Sequence, residues 1–356
     1  MAQAALLPER HSTQDFFIAD IFDSLPVKND RHTMEHPFFT LSTKKDSRVI
    51  KYSKNGINVT VKPDHELGLP TMFDKDILLY CGSLVIAQLK KNPTEYPPQT
   101  LRFSSHDLMV TTNRETNGKA YRLLRNAFER LNGCSITTNI KTADIKAVAG
   151  FHLIESFRVV ESSHNKSRMV KVEVKLSDWY YNALISKEVL TINRDYFRLR
   201  KPLERRLYEL ARKHCGKQEE WSISLENLKD KCGSVVPELF KFRAHIRKII
   251  ATHKKEKHFP DYNLFLSEKD IVTFTSQARK TFDNFPPISK ETQELLKALK
   301  PATLDKAYSI VDRAGTGWDF NVIVQEFAEF ITKKGTPKNI NAAFMGFVKK
   351  KSAVAH

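Results

Sequence analysis

Apolar and polar positions recur along the chain with two different periods, and the change of period marks the predicted elements. Residues 48–52 form a short β-like run before Asn55-Gly56, and residues 57–61 alternate between the two classes after it, which predicts a β-hairpin with a tight turn. Residues 73–89 change to helical spacing, with Asp74 and Asp76 in the first turn, where negative charge favours a helix. The first 35 residues show no sustained period, and we expect an arm there.

A short motif recurs 120 residues further along the chain. Phe103-Ser104 followed by Asp107-Leu108 returns as Ile223-Ser224 followed by Asn227-Leu228, and each serine is placed to cap a short helix. Each copy is followed by an apolar stripe at spacings of three, four and three residues, typical of the buried side of a helix. The stripes are Tyr121, Leu124, Phe128 and Leu131 in the first copy and Leu239, Phe242, Ile246 and Ile249 in the second.

A pair of strand-like segments follows each stripe, at residues 150–161 and 168–176 and again at 262–266 and 271–275. Helices followed by a β-hairpin are the order of a winged-helix module, in which the last helix enters a DNA groove. The sequence therefore predicts an α+β fold with tandem winged-helix domains and a small helical C-terminal domain. The predicted divisions are an arm over 1–35, modules over 36–186 and 187–285, and a helical domain with a basic tail over 286–356.

The charge of the chain indicates its partner. Lys and Arg number 58 against 41 Asp and Glu, a formal net charge of +17, which predicts attraction to a polyanion and to nucleic acid first. Four cysteines show no metal-ligand spacing and fit reduced thiols in a cytoplasm. We expect neither a signal segment nor a membrane span, because the longest mainly apolar stretch, residues 78–89, is too short.

Both predicted recognition helices carry basic side chains away from their apolar stripes. Arg can contact guanine through two hydrogen bonds, and Asn can contact adenine in the same way, so these residues are candidate DNA contacts. A solvated basic face is the alternative for one helix alone, but its recurrence on a second helix favours DNA. The candidates on the helices are Lys119, Arg122, Arg125, Asn126 and Arg130, then Lys241, Arg243, His245, Arg247 and Lys248; the first wing adds Lys166 and Arg168.

Enzymatic interpretations find little support in the motifs. The chain has no G-x-x-x-x-G-K-[ST] phosphate loop, which disfavours an ATPase, and no G-x-S-x-G nucleophile motif. A nickase would need a nucleophilic tyrosine and a metal cluster; Tyr180-Tyr181 is a candidate pair, but no His-x-His is present. Packing is the better interpretation of these tyrosines, and no cofactor or metal is predicted.

Two segments carry a resemblance to a known family. Residues 196–207 read Tyr-Phe-Arg-Leu-Arg-Lys-Pro-Leu-Glu-Arg-Arg-Leu and continue to Gly216; residues 341–350 read Asn-Ala-Ala-Phe-Met-Gly-Phe-Val-Lys-Lys. Both resemble stretches of plasmid replication initiator proteins of the RepA type. The resemblance implies a non-enzymatic protein that binds repeated sequences, or iterons, in double-stranded origin DNA.

The resemblance also implies opening of an adjacent AT-rich segment and loading of a helicase. A host DnaA-type initiator, a replicative helicase, a monomer and homodimer equilibrium and repression of its own promoter are implied with it. A transcriptional repressor that uses the same two modules is the alternative. A tyrosine-dependent nickase is a third hypothesis, from the enzyme class.

Overall fold

The architecture comes from a computed structural model that describes residues 26–142, 149–161, 169–216, 218–277 and 337–353, with scattered residues from 299 to 335. The chain divides into two compact units, Met1–Gln277 and Ala278–His356. The first predicted module lies in the first unit, and the second predicted module lies in it as far as Gln277. The mixed helix-and-strand class is confirmed.

Helices and short strands alternate along the first unit. Its first part contains β1 (Lys28–Asp30), α1 (Arg31–Glu35), β2 (Ile50–Lys54), β3 (Ile57–Lys62), α2 (Lys75–Lys91), β4 (Thr100–Ser104), α3 (Ser105–Thr111), α4 (Gly118–Gly133), β5 (Ser135–Thr138), β6 (Ala149–Phe151), β7 (Ile154–Glu161) and β8 (Met169–Leu176). Its second part contains α5 (Asp178–Ile185), β9 (Val189–Thr191), a 3₁₀ helix (Arg194–Arg198), α6 (Pro202–His214), β10 (Glu220–Ser224), α7 (Leu225–Cys232), α8 (Leu239–Glu256), β11 (Tyr262–Leu266) and β12 (Ile271–Ser276).

The sequence repeat corresponds to a structural repeat. A helix, a strand, two helices and a hairpin occur in the same order twice: α2, β4, α3, α4, β7 and β8 in the first repeat, and α6, β10, α7, α8, β11 and β12 in the second. In the first repeat, β5 and β6 intervene between α4 and the hairpin. The last strand lies in the middle of each antiparallel sheet, so the orders are β4-β8-β7 and β10-β12-β11. The predicted caps are confirmed, since Ser104 accepts a hydrogen bond from the backbone N of His106 and Ser224 from that of Asn227.

The apolar stripes face the cores of the two repeats. All four stripe residues of α4 are buried, and on α8 the three after Leu239 are buried. A spacing of three and four residues puts these side chains on one face of each helix. Because that face is buried, the opposite face is exposed to solvent. The cores under α4 and α8 are separate hydrophobic clusters within the first unit.

A further sheet is built around the predicted hairpin. Its strand order is β2-β3-β5-β6, and Asn55 and Gly56 form the turn between β2 and β3 with φ of 52° and 74°. Positive φ at both turn positions is the geometry that Asn-Gly favours, so the hairpin prediction is confirmed. The sequence did not predict β5, because a strand of four residues is too short to show a period. The predicted strand-like segment at 150–161 is divided in the structure into β6 and β7.

Part of the predicted arm belongs to the folded body. β1 pairs antiparallel with β9, and Asp30 caps α1 by accepting a hydrogen bond from the backbone N of Thr33 at 2.8 Å. Residues 28–35 are therefore structured, contrary to the interpretation of 1–35 as an arm; residues 1–25 lie outside the described part. Local pattern could not show this, since the strand that pairs with β1 lies about 160 residues later in the chain.

The first helices of the two repeats meet through buried ion pairs. Lys75 Nζ on α2 lies 2.9 Å from Glu209 Oε1 on α6, and Arg205 Nη1 lies 2.6 Å from Asp76 Oδ1. All four side chains are at most 2% exposed. Most of the segment at 196–216 that carries the family resemblance is thus structural: it joins the two repeats.

Arg206 extends this junction to the N-terminal helix. Its guanidinium donates hydrogen bonds to the carbonyl oxygens of Thr33, Met34 and Glu35 at 2.9–3.0 Å. These carbonyls belong to the last turn of α1, where a cation is favourable. Arg206 therefore fixes α1 against α6.

The second unit has its own helical core. Its last helix, α9, spans Ile340–Ser352, and the described residues near 303–311 and 323–331 are helical, as predicted. Phe344 and Val348 of α9 are buried together with Phe327. Residues 286–298 of the predicted helical domain lie outside the described residues.

Candidate nucleic-acid interface

The exposed face of α4 carries most of the candidates of the first repeat. Asn117 caps the helix by accepting a hydrogen bond from the backbone N of Ala120 at 2.9 Å, which fixes its start. Lys119, Arg122 and Arg125 are exposed along the face opposite the apolar stripe. The N-terminal half of α4 therefore presents a cationic surface to solvent.

The exposed face of α8 is similar in charge. His245, Arg247 and Lys248 are exposed, and so is Lys241, whose Nζ lies 3.1 Å from Glu238 Oε2 one turn before it. Exposed ion pairs of this kind contribute little, so Lys241 can exchange its partner at low cost. Each repeat thus places basic side chains on the helix that precedes its hairpin.

Arg130 has a structural role rather than a place on the exposed face. Its Nε and Nη2 lie 2.7 and 2.8 Å from the two carboxylate oxygens of Asp74, which is 3% exposed. A two-point pair of this kind commits the guanidinium and ties α4 to the loop before α2. We therefore leave Arg130 out of the contact set.

Arg243 is held by the turn of the second hairpin. Its Nε lies 2.6 Å from Asp270 Oδ1, and its Nη2 contacts Asp270 Oδ2. The hydrogen bond from Arg243 lowers the pKa of Asp270, so the pair is ionised near neutral pH. Arg243 links α8 to the β11–β12 turn, which sets the hairpin against the helix.

The remaining candidates divide between the helix and the hairpin. Asn126 is half-buried on α4, next to the exposed residues. Lys166 and Arg168, predicted at the tip of the first wing, lie outside the described residues. In the second hairpin the turn is formed by residues 267–270, and Lys269 is exposed there.

Large apolar side chains stand among the cations of both helices. Leu123 on α4 is 52% exposed, and Phe240 on α8 is 59% exposed. The sequence did not indicate either residue, because both lie outside the apolar stripes of their helices. Single exposed apolar side chains are common on protein surfaces, so nothing in the sequence marks these two as DNA contacts. Lys44 and Lys45 were not indicated either, since they lie near α4 only through the tertiary fold.

The candidate tyrosine nucleophiles are engaged in packing. Tyr180 is buried, its hydroxyl donates a hydrogen bond to the carbonyl of Leu78 at 2.8 Å, and burial raises its pKa. The Tyr181 hydroxyl donates to the carbonyl of Pro97. Across the described residues no group of three or more His, Cys, Asp or Glu is arranged to hold a metal ion. None of the described helices is long and apolar enough to cross a bilayer.

Comparisons with known proteins identify relatives over most of the chain. A sequence model of the replication initiator protein A family matches residues 28–264, about two thirds of the chain. A predicted replication protein of Wigglesworthia glossinidia brevipalpis is 34% identical over 274 residues, which cover 76% of this chain and 96% of that protein.

Solved structures with some similarity include two of domains 2 and 3 of RctB. One has a TM-score of 0.45 and 14% identity over 67% of this chain and 94% of the RctB chain. The other has the same TM-score and 11% identity over 68% and 96% of the two chains.

Proposed function

The chain belongs to the replication initiator protein A family, and we propose that it starts replication by binding repeated sequences at a plasmid-type origin through two winged-helix modules. The observation that carries this proposal is the recurrence of one arrangement: each repeat ends in an exposed cationic helix followed by a hairpin. A recognition helix next to a β-wing is the arrangement with which winged-helix proteins contact DNA.

We assign the base-reading role to the exposed side chains of α4 and α8. Arg122 and Arg125 are suited to guanine, Asn126 to adenine, and Leu123 to the methyl group of thymine. In the second module Arg247 is suited to guanine. The remaining contacts, from Lys119, Lys241, His245 and Lys248, are assigned to phosphates, together with Lys166 and Arg168 of the first wing.

Arg243 has an indirect role in this proposal. Its pairing with Asp270 holds the second wing against α8, so that the wing and the helix are presented to DNA together. Asp270 also places a negative charge near Arg247, whose own positive charge helps to lower the pKa of that carboxyl. The pair therefore positions the second wing, and it withholds the charge of Arg243 from phosphates.

The junction of α2 and α6 supports a single docking unit. Buried ion pairs oppose independent rotation of the two modules, because moving one helix against the other would leave charges without partners in the low-dielectric interior. Docking of one module then makes docking of the other an intramolecular event. We propose that the two helices enter major-groove faces about 10–10.5 bp apart.

Activities that follow DNA binding are proposed from family membership. These are opening of an adjacent AT-rich segment, recruitment of a host DnaA-type initiator and a replicative helicase, repression of its own promoter, and an equilibrium between monomer and homodimer. We assign the protein to the bacterial cytoplasm, where the plasmid is replicated.

A replication assay in trans tests the proposal. The full chain is supplied from one plasmid, and a second plasmid carries the DNA that flanks its gene as its sole origin. We expect maintenance of the second plasmid with the natural chain and loss of it with Arg122→Ala combined with Arg247→Ala. Binding of the flanking DNA without replication would indicate a transcriptional repressor instead.

A further inference from the structure

A cleft of about 630 Å³ runs along one side of α4. Lys119, Leu123 and Asn126 line it from the helix, and Lys44 and Lys45 line it from a loop of the N-terminal region. The loop and the helix are far apart in sequence, so the fold has brought two sets of cationic residues to one concavity. The function assigned above to α4 does not use the loop.

Helix geometry places this cleft on the side of α4 that adjoins Arg122 and Arg125. Residues 119, 123, 126 and 130 recur at spacings of four, three and four, so they share one side of α4. Arg122 and Arg125 lie on the adjoining side, farther from the cleft. A helix in the major groove has a phosphate strand along each flank, because the groove is about 12 Å wide and a helix about 10–12 Å across. The loop side of the cleft, which carries Lys44 and Lys45, thus lies where one of the two strands would pass.

The floor of the cleft is electrically neutralised. Asp74 is paired with Arg130, and Asp76 is paired with both Arg205 and Arg114. The carboxylates that could repel a phosphate from the floor are therefore already compensated.

The rim of the cleft carries a small net positive charge. Lys44, Lys45 and Lys119 are exposed there, against the exposed carboxylates of Glu66 and Glu115. Lys45 Nζ donates to the backbone carbonyl of His65 at 3.3 Å, which leaves its charge unneutralised. The rim is cationic, and it is continuous with the cationic face of α4.

Hydrogen bonds to Asp46 fix the conformation of the loop that carries the two lysines. The carboxylate of Asp46, which is buried, accepts hydrogen bonds from the Thr40 hydroxyl at 2.6 Å and from Arg48 Nε at 2.8 Å. The Asp46 carbonyl accepts from the backbone N of Leu69 at 2.7 Å. Internal bonding of this kind orients the lysines outward before any ligand arrives, which reduces the entropy lost on binding.

Gly68 allows the chain around it to pack closely against the backbone of Asp46 in this loop. Its φ is +83°, and a Cβ on residue 68 would lie 2.7 Å from the carbonyl oxygen of Asp46. A side chain there would meet backbone that cannot move aside without displacing the loop. The position of Lys44 and Lys45 beside α4 therefore depends on a glycine more than twenty residues away.

We propose that the Lys44–Lys45 loop is a second phosphate-binding element of the first module, which holds the DNA strand that runs along the flank of α4. The inference rests on the proposed function, because it takes duplex DNA as the occupant of the cleft rim. The loop carries no base-reading side chain, so it adds affinity and orientation without adding sequence preference.

Binding measurements at several salt concentrations test the loop. The full chain is titrated onto a fluorescent duplex of the DNA flanking its gene and onto a random duplex of equal length. We expect Lys44→Ala combined with Lys45→Ala to weaken both complexes by the same factor. Loss of two phosphate contacts should reduce the slope of log K against log salt by about 1.8.

Two matched variants separate position from net charge. Lys90→Ala combined with Lys91→Ala removes two exposed lysines at the end of α2, outside the residues that line the cleft, and should leave the slope nearly unchanged. Gly68→Ala keeps both lysines but displaces the loop, and should reduce the slope as the double variant does. Circular dichroism and a thermal melt confirm that each variant is folded.

The outcomes distinguish this inference from the function on which it rests. If the natural chain binds the flanking DNA and the Lys44/Lys45 variant keeps the full slope, the loop is not a phosphate element, although the origin-binding proposal stands. Equal losses in the Lys44/Lys45 and Lys90/Lys91 variants would also overturn the inference, since net charge alone would explain them. If the natural chain binds neither duplex, the proposed function itself fails.

Discussion

Arg205 Nη1 on α6 lies 2.6 Å from Asp76 Oδ1 on α2, with both side chains 2% exposed. The guanidinium also lies over the rings of Phe73 and Tyr196, with its carbon 4.5 and 4.9 Å from the ring centroids. This contact joins the first helix of one repeat to the first helix of the other. The relative placement of the two cationic helices therefore depends on a buried charge pair and the aromatic rings around it.

Removal of Arg205 should destabilise the first unit strongly. Arg205→Ala leaves Asp76 with Arg114 as its remaining partner and creates a cavity, so we expect a loss of about 3–5 kcal/mol in the free energy of unfolding. Urea denaturation followed by circular dichroism measures it. Arg102→Ala is the control: its ion pair with Glu173 is exposed, and its removal should cost less than about 1 kcal/mol. Equal costs for the two variants would contradict the structural role of the junction.

Leu123 should make binding sensitive to a thymine methyl group. Replacement of thymine by uracil removes that methyl, and burying one such group contributes about 0.8 kcal/mol, or roughly a fourfold change in affinity. We expect uracil at one position of the binding site to weaken the natural chain and to leave Leu123→Ala unaffected. Fluorescence anisotropy with duplexes substituted one thymine at a time measures this. Phe240→Ala should retain the sensitivity at that position; if Leu123→Ala retains it too, Leu123 does not read the base.

Asp270 should limit the attraction of the second module to phosphates. Asp270→Asn removes a negative charge beside Arg243 and Arg247 and frees the Arg243 guanidinium for a phosphate. We expect tighter binding to random duplex and a salt slope steeper by about 1. Glu173→Gln, which removes a half-exposed carboxylate from an ion pair with the exposed Arg102, is the control for net charge. Weaker binding by Asp270→Asn would show that the wing position matters more than the charge.

His36 should make the first unit less stable in mild acid. Burial lowers its pKa from 6.5 to about 4, and the charges of Arg206, Lys231 and His32 act in the same direction while Glu35 opposes them. Because the folded state then binds the proton more weakly than the unfolded state, stability is complete above pH 6.5 and falls between pH 6.5 and pH 4. The loss is about 1–3 kcal/mol after allowance for partial exposure of the ring.

Urea denaturation at a series of pH values measures this loss. His36→Gln cannot take up the proton, so its stability should change less over that interval. If the variant loses stability as steeply as the natural chain, His36 is not the group responsible.

Local patterns predicted the parts of the fold whose partners are near in sequence. The stripes of α4 and α8, the caps Ser104 and Ser224 and the Asn55-Gly56 turn each follow from residues within about ten positions of one another. Pairings across long separations gave no such signal. Arg205 and Asp76 are 129 residues apart, so their contact could not be read from either segment, even though the segment around Arg205 was recognised as characteristic of a family.

In the candidate site, too, the sequence predicts what depends on local pattern but not what depends on distant residues. The cationic faces of α4 and α8 follow from helix periodicity, and the structure leaves them exposed. Arg130 and Arg243 have the same local pattern as their neighbours, but each is committed to a carboxylate that only the tertiary fold supplies. Lys44 and Lys45 show the converse, since nothing in their surrounding sequence indicates that they lie beside α4.

Hydroxyl-radical footprinting on the DNA flanking the gene tests most directly whether the two helices contact one duplex. We expect two protected regions centred about 10–10.5 bp apart. Arg122→Ala should weaken one region, Arg247→Ala should weaken the other, and Lys91→Ala should leave both intact. A single protected region, or loss of the same region in both arginine variants, would contradict the account.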